Sequence, residues 1–250
     1  MQVDAFAIRL RRRSPMEAAD LGVRLSQTVW SSLYRCYWIA LLPVAVFTLA
    51  TFEFATWLPG LAIWWMKPWL DRTILFVLAR AAFGQKTTVR DLWNAQRHVW
   101  WGQLVRTLTT RRLSPWRSFT QPVYQLEGQK GSKLGKRVAQ IRRGNTGGAV
   151  LVTSAYSLVE MVLWTALLSL VYWFAPPGHE PDLDSMLEGV VSPVFALASA
   201  GAYVLVIALL EPLYVASGFT MYLNRRVELE AWDIEQEFRR AFPREEARDE

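Results

Sequence analysis

Five charged residues stand inside otherwise apolar runs, and their types and spacing bear most directly on chemistry. Lys67, Asp71 and Arg72 interrupt the run from Trp57 to Gly84, Glu160 lies near the middle of the run from Gly148 to Phe174, and Glu211 breaks the run from Val190 to Asn224. A charge in a bilayer core costs roughly 2.5 to 3.5 kcal/mol on insertion scales, so each of the five needs a partner, water or a task. Lys67 and Glu211 each precede a proline, Pro68 and Pro212, which are the expected helix kinks. Setting the prolines in register aligns AIWWMKPWLDRTILFVLAR with IALLEPLYVASGFTMYLNR, a candidate two-fold internal repeat with a cation in one half where the other has an anion. The sharpest expectation is a Lys67–Glu211 pair with Glu160 as a competing partner. It predicts that Glu211→Gln destabilises the protein and that exchanging the two charges restores it. Proline-interrupted helices in corresponding halves also mark substrate or ion sites in transporters. The plainer reading is a structural ion pair, with Lys67 and Arg72 snorkelling toward head groups.

Glu160 with Glu211 would form a carboxylate pair for acid–base work. No nucleophile, histidine or metal-ligand set accompanies them, which argues against catalysis. His98 and His179 stand far apart, on expected opposite sides of the bilayer. Cys36 is the single cysteine, so neither an intrachain disulfide nor a CxxC site is available. GQKGSKLGKR holds Gly131, Gly135 and Lys136 but lacks the GxxxxGK[ST] order and a preceding strand, so it is not a nucleotide loop. The residues therefore read as a non-enzymatic protein with no cofactor and no metal.

The elements that must position these charges follow from where the apolar residues fall. The chain is 52% hydrophobic yet carries 28 Lys+Arg and has a pI of 9.7, and its charges lie between apolar runs rather than interleaved with them. That distribution predicts an all-α integral membrane protein with about four transmembrane helices, two of them Pro-kinked, plus amphipathic interfacial helices. Six segments is the alternative if the two proline-bearing runs are broken hairpins. Several of the 13 Trp, among them Trp30, Trp57, Trp100 and Trp173, fall at run ends, where an indole favours the interface. The Trp57–Gly84 stretch reads as the one around which the rest is organised.

Residues 1–32 are expected to be a basic N-terminus and an interfacial amphipathic helix, opened by a capping box at Ser14-Pro15-Met16-Glu17 and presenting Leu21, Leu25, Val29 and Trp30. The Arg9–Arg13 cluster precedes a run long enough to span, so retention as an anchor is expected rather than signal cleavage. Residues 33–83 form the first transmembrane pair, beginning with Leu33–Phe52. Residues 84–147 hold 13 Lys/Arg against Asp91 and Glu127, which makes the segment cytoplasmic by the positive-inside rule. It reads as a helix over Val89–Thr109, then LSPWRSFTQPVYQLEG as extended or turning chain because of its two prolines, then a flexible basic stretch. Its Arg111, Arg112, Lys130, Lys133, Lys136, Arg137, Arg142 and Arg143 form the expected surface for anionic lipid or a partner, with no nucleic acid required. Residues 148–224 form the second transmembrane pair, and residues 225–250 a cytoplasmic amphipathic helix and tail.

RSPMEAADLGVRL, WWMKPWLDRTILFVLARAAFG and GFTMYLNRRVELEAWDIEQEFRR resemble an uncharacterised group of proteobacterial multi-pass inner-membrane proteins. More distantly, the pattern resembles the membrane domain attached to some glycerophosphoryl diester phosphodiesterases, without their catalytic domain. The resemblance implies the bacterial inner membrane with both termini cytoplasmic, and an envelope-associated assembly beside a MoxR-type ATPase system. It brings no catalytic residue. The leading expectation is a non-enzymatic subunit or scaffold whose basic face meets anionic lipids or a partner protein, with homo-oligomerisation open. The alternative is a small transporter or lipid-handling protein with its site at the Pro-kinked helices.

Overall fold

The computed structural model describes residues 12–102, 104–109, 112–129, 131–174 and 192–230. They are helical, with no strand among the described residues. The long helices are α1 (Pro15–Thr28), α2 (Trp30–Ala50), α3 (Leu58–Ala81), α8 (Thr146–Trp173) and α9 (Pro193–Glu230). Between α3 and α8 lie the short helices α4 (Val89–Asn94), α5 (Leu104–Leu108), α6 (Arg117–Leu126) and α7 (Gly131–Arg142).

Three stretches are long and apolar enough to cross a membrane: Trp30–Glu53, Thr146–Leu170 and Pro193–Glu230. The expected fourth, α3, has the length at 24 residues, but Lys67, Asp71 and Arg72 sit on adjacent turns at its centre and lower its hydropathy. Those charges are buried in protein, which is why α3 reads as less apolar than the surface it touches. Both proline-bearing runs are single continuous helices, so the broken-hairpin alternative does not hold. Pro212 deprives the Ala208 carbonyl of its helical donor. The hydroxyls of Tyr37 and Tyr34 from α2 donate at 3.3 Å to the flanking carbonyls of Ile207 and Leu209, so α2 supports the backbone where the proline loosens it.

The hub is α9 rather than α3. It packs on α1, α2, α3, α6, α7 and α8, and Leu210–Asn224 is buried almost without interruption. Two glycines set its closest approaches. A methyl group on Gly22 of α1 would lie 2.3 Å from the Ala216 carbonyl oxygen, and one on Gly218 would lie 2.4 Å from Ser118 of α6. Accordingly α1 packs closely along α9. Its packed face is Ala18, Ala19, Gly22, Leu25 and Ser26, a small-residue strip that seats it on α9, while Trp30 stays exposed.

The basic segment 84–147 departs furthest from its sequence reading. The stretch with two prolines forms α6, a helix with eight of its ten residues buried against α9, α7, α8 and α3. The stretch expected to be flexible forms α7, held by Leu134, Val138 and Ile141 at helical spacing. The helix expected over Val89–Thr109 is instead interrupted. α4 opens with the Thr88–Asp91 capping box, a π turn follows at Arg97–Trp101, and Gly102 is extended before α5. The cause lies on α3. The Arg72 guanidinium takes the carbonyls of His98 (2.9 Å) and Val99, which a continuous helix would have used for its own next turn. Residues 231–250, expected to continue an amphipathic helix, and residues 175–191 lie outside the described residues.

Candidate functional site

The charges on α3, α8 and α9 converge on one chamber, and a side chain from α6 completes it. Lys67 Nζ lies 2.5 Å from Glu160 Oε2 and 2.9 Å from Glu211 Oε2, so the two carboxylates bind the ammonium together rather than compete for it. Arg117, from the first turn of α6, places Nη2 2.6 Å from Glu211 Oε1 and Nε 3.0 Å from Asp71 Oδ2. The Tyr203 hydroxyl donates to Glu160 Oε1 at 2.7 Å. Glu211 thus bridges two cations, and Arg117 bridges two acids. The Asp71 contact is ionic without hydrogen-bond alignment, since neither of its oxygens accepts a hydrogen bond. Asp71, Glu211, Lys67 and Arg117 are all buried.

This arrangement changes what a charge exchange would do. With Glu at position 67 and Lys at 211, the new carboxylate would face Glu160 and the new ammonium would face Arg117. The exchange expected to restore a simple pair therefore fails in a network of this connectivity.

Arg72, adjacent to Asp71 in sequence, belongs to a different site. It points into the His98 and Val99 carbonyls and the Thr107 hydroxyl at 3.2 Å, and the Gln125 side-chain amide donates to the Arg72 carbonyl at 2.8 Å. His98 Nε2 is 3.1 Å from the Gln125 carbonyl oxygen, and so is engaged in packing α6 rather than in the chamber.

Arg112 is the residue that sequence reading placed wrongly. Counted there with the basic surface, it is 8% exposed, and its guanidinium stacks 3.5 Å above the Trp64 ring. It makes no hydrogen bond and no ion pair among the described residues, and its Nε and Nη2 are buried without acceptors. Burial and the neighbouring Arg117 lower its pKa to about 10, so it remains a cation near neutrality. Of the other expected surface residues, Arg142 stacks 3.6 Å over Trp116, and Arg137 pairs with Glu127 at 2.8 Å and with Glu230. Lys133, Lys136 and Arg143 are exposed. Arg111 and Lys130 lie outside the described residues.

Two cavities meet at this point. The chamber itself, about 320 Å³, is lined by Lys67, Arg112, Ser114, Arg117, Glu160 and Glu211 among others. Beside it an apolar cleft of about 730 Å³ runs between α3, α8 and α9, walled by Trp57, Leu61, Met161, Trp164, Leu168 and Phe195. Trp64, Ser157 and Glu160 line both, so the charged chamber and the apolar cleft share one throat. Most of α8 is open beside the cleft: among its described residues, Ala149 and Val152 are the buried ones. A third cavity of about 610 Å³ lies against Leu113–Arg117, lined also by Arg72, Gln121 and Gln125.

Arg117 and Tyr203 were not singled out from sequence. Pro122 and the surrounding basic residues hid α6, which begins after Trp116 with no side-chain cap. Compared with known proteins, the chain matches no protein-family model, no curated protein and no solved structure.

Proposed function

We propose that this chain is a non-enzymatic, lipid-handling protein of the bacterial inner membrane, binding an amphiphile where its proline-bearing helices meet. The observation that carries this reading is the shared throat at Trp64, Ser157 and Glu160, which joins a lipid-sized apolar cleft to a compartment of fixed charges. Cavities of ~300–1,000 Å³ with few polar groups are those that small ligands occupy. In this reading α3 is the fourth crossing. Its 24 residues reach ~36 Å at 1.5 Å per residue, enough for a ~30 Å core, and its charges have counter-ions inside the bundle. An even number of crossings keeps both termini on the cytoplasmic side, where exposed cations of residues 84–147 such as Lys133, Lys136 and Arg143 face anionic lipid. The approach of Lys67 to Glu211, each before its proline, supports a two-fold internal repeat across α3 and α9.

A second reading, a subunit of an envelope assembly driven by a MoxR-type ATPase, is favoured by one feature. Arg117 ties the cytoplasmic helices to the membrane helices by buried charge, so a partner pulling on α6 or α7 would act directly on the chamber.

The test is native mass spectrometry of the whole protein released from nanodiscs made of its own membrane lipids. The amphiphile reading expects a retained lipid in the wild type and its loss in Ser157→Trp, which fills the throat from an exposed α8 position while leaving every ion pair in place. A protein partner at fixed stoichiometry, with no lipid dependent on Ser157, would establish the subunit reading instead.

A further inference from the structure

Three features of the chamber wall are unexplained by the ion network. Arg112 is a cation with nine-tenths of its surface buried, and among the described residues no counter-ion touches it and its Nε and Nη2 have no acceptor. Ser114 Oγ, on the same wall, is buried without a hydrogen-bond partner. Trp64, which holds the Arg112 guanidinium, is also a wall of the apolar cleft. A guanidinium removed from water without acceptors is strongly disfavoured, because its fixed fork of donors has lost hydration and gained nothing directional. Stacking on an indole face orients the group, yet it leaves the in-plane N–H donors unmet.

We propose that Arg112 is the head-group receptor of the site, and that the occupant is a phospholipid whose phosphate enters the chamber while an acyl chain lies in the Trp57–Leu168 cleft. This rests on the amphiphile reading and adds to it the ligand class and the residue that selects it. Geometry and charge select this class. Lys67 and Arg117 are already held by Asp71, Glu160 and Glu211, so among the described residues Arg112 is the cation of this wall with no acid in contact. The three cations Lys67, Arg112 and Arg117 balance the three acids Asp71, Glu160 and Glu211. What the wall lacks is therefore acceptor atoms at Arg112 rather than charge, and phosphate oxygens present acceptors at the spacing of a guanidinium edge. The apolar cleft requires that the phosphate come on a hydrocarbon chain. Free phosphate would leave about 730 Å³ of Trp, Leu and Met surface uncovered.

The experiment titrates the full-length protein, delipidated in detergent, with dioleoylphosphatidylglycerol, with dioleoylglycerol and with inorganic phosphate, following bound mass by native mass spectrometry. The wild type is expected to hold one phosphatidylglycerol per chain, to bind dioleoylglycerol at least tenfold more weakly, and to show no displacement by millimolar phosphate. Arg112→Met is expected to lose at least tenfold in phosphatidylglycerol affinity, with Arg112→Lys recovering part of it. Its thermal midpoint without lipid should be equal to the wild type or higher, because a buried unmet charge has been removed. Equal binding of the two lipids, or unchanged phosphatidylglycerol affinity in Arg112→Met, overturns the head-group assignment while leaving an amphiphile site. A lower midpoint in lipid-free Arg112→Met with lipid affinity unchanged makes Arg112 a structural stack on Trp64. Displacement by inorganic phosphate would mean a simple anion site. Absence of any bound lipid in the wild type removes the amphiphile reading itself.

Discussion

Helix α3 buries charge in two places within about a turn and a half, and it does so by opposite means. At Lys67 and Asp71 the partners are themselves charged: Glu160, Glu211 and Arg117 form a connected network in which each ion is held by another. At Arg72 the partners seen among the described residues are neutral, two backbone carbonyls and a threonine hydroxyl. The first solution needs charges brought together from four helices, so it fixes tertiary structure. The second needs only a stretch of backbone willing to give up helical hydrogen bonds, so it shapes one segment, the π turn at Arg97–Trp101. The difference teaches where each can be broken. An ion network fails as a whole when one member is neutralised, whereas a carbonyl cage loses only the bonds of its centre.

Removing Arg117 should have the largest effect. Arg117→Met leaves Asp71 and Glu211 with one cation between them and Glu160, and a loss of about 3–5 kcal/mol is expected from breaking a buried pair on one side. Chemical or thermal unfolding of the detergent-solubilised protein would measure it. The sharper form is the double variant: adding Asp71→Asn should recover part of the loss, with a coupling of about 0.5–3 kcal/mol between two groups in one network. Absence of coupling would mean that Arg117 and Asp71 are neighbours rather than partners. Exchanging Lys67 and Glu211 should not rescue either single change, because position 211 also faces Arg117.

Arg72→Met comes next, at about 1–3 kcal/mol, the penalty for leaving buried acceptors without donors. No neutralised carboxylate should compensate it. Hydrogen exchange should instead show the change confined to residues 97–108, which lose their anchor on α3, while α9 remains protected. A spread of exchange into Leu210–Asn224 would show that the two charge sites on α3 are one cooperative unit.

The parts of this fold that sequence carried well are those encoded by periodicity and local chemistry. The apolar runs, the helix start at Ser14-Pro15 and the capping pair Thr88 and Asp91 need no knowledge of neighbours. Lys67 and Glu211 could be set side by side because each precedes a proline. What escaped was set by partners distant in sequence. Arg117 and Arg112 lie in a segment whose cations all look alike from composition, and only the positions of Trp64, Asp71 and Glu211 separate the buried from the exposed. The seat of α1 on α9 was missed because it is made of Ala18, Ala19 and Gly22, residues that carry little hydrophobic signal and act by allowing close approach. The break after α4 was invisible because its cause, Arg72, sits more than twenty residues upstream.

The smallest effect is expected where water takes the place of both solutions. Asp91 accepts from the Thr88 backbone N–H at 2.9 Å and from the Thr88 hydroxyl at 2.9 Å, with Arg80 at 3.7 Å. The Thr88 backbone bond first, and then its hydroxyl, hold the Asp91 carboxyl below the usual range. Because the folded value is depressed, its contribution is fully present above the unfolded value of about 3.9 and is lost as the pH falls through that value toward the folded one. Wild-type α4 should therefore loosen below about pH 4, followed by the fluorescence of Trp93, which lies on α4. Asp91→Asn should abolish that step, and the change should stay within α4, since an exposed carboxylate that loses its charge is rehydrated rather than stranded. A step of unchanged size in Asp91→Asn would assign the titration to another group and would separate the cap from the acid sensitivity of this face.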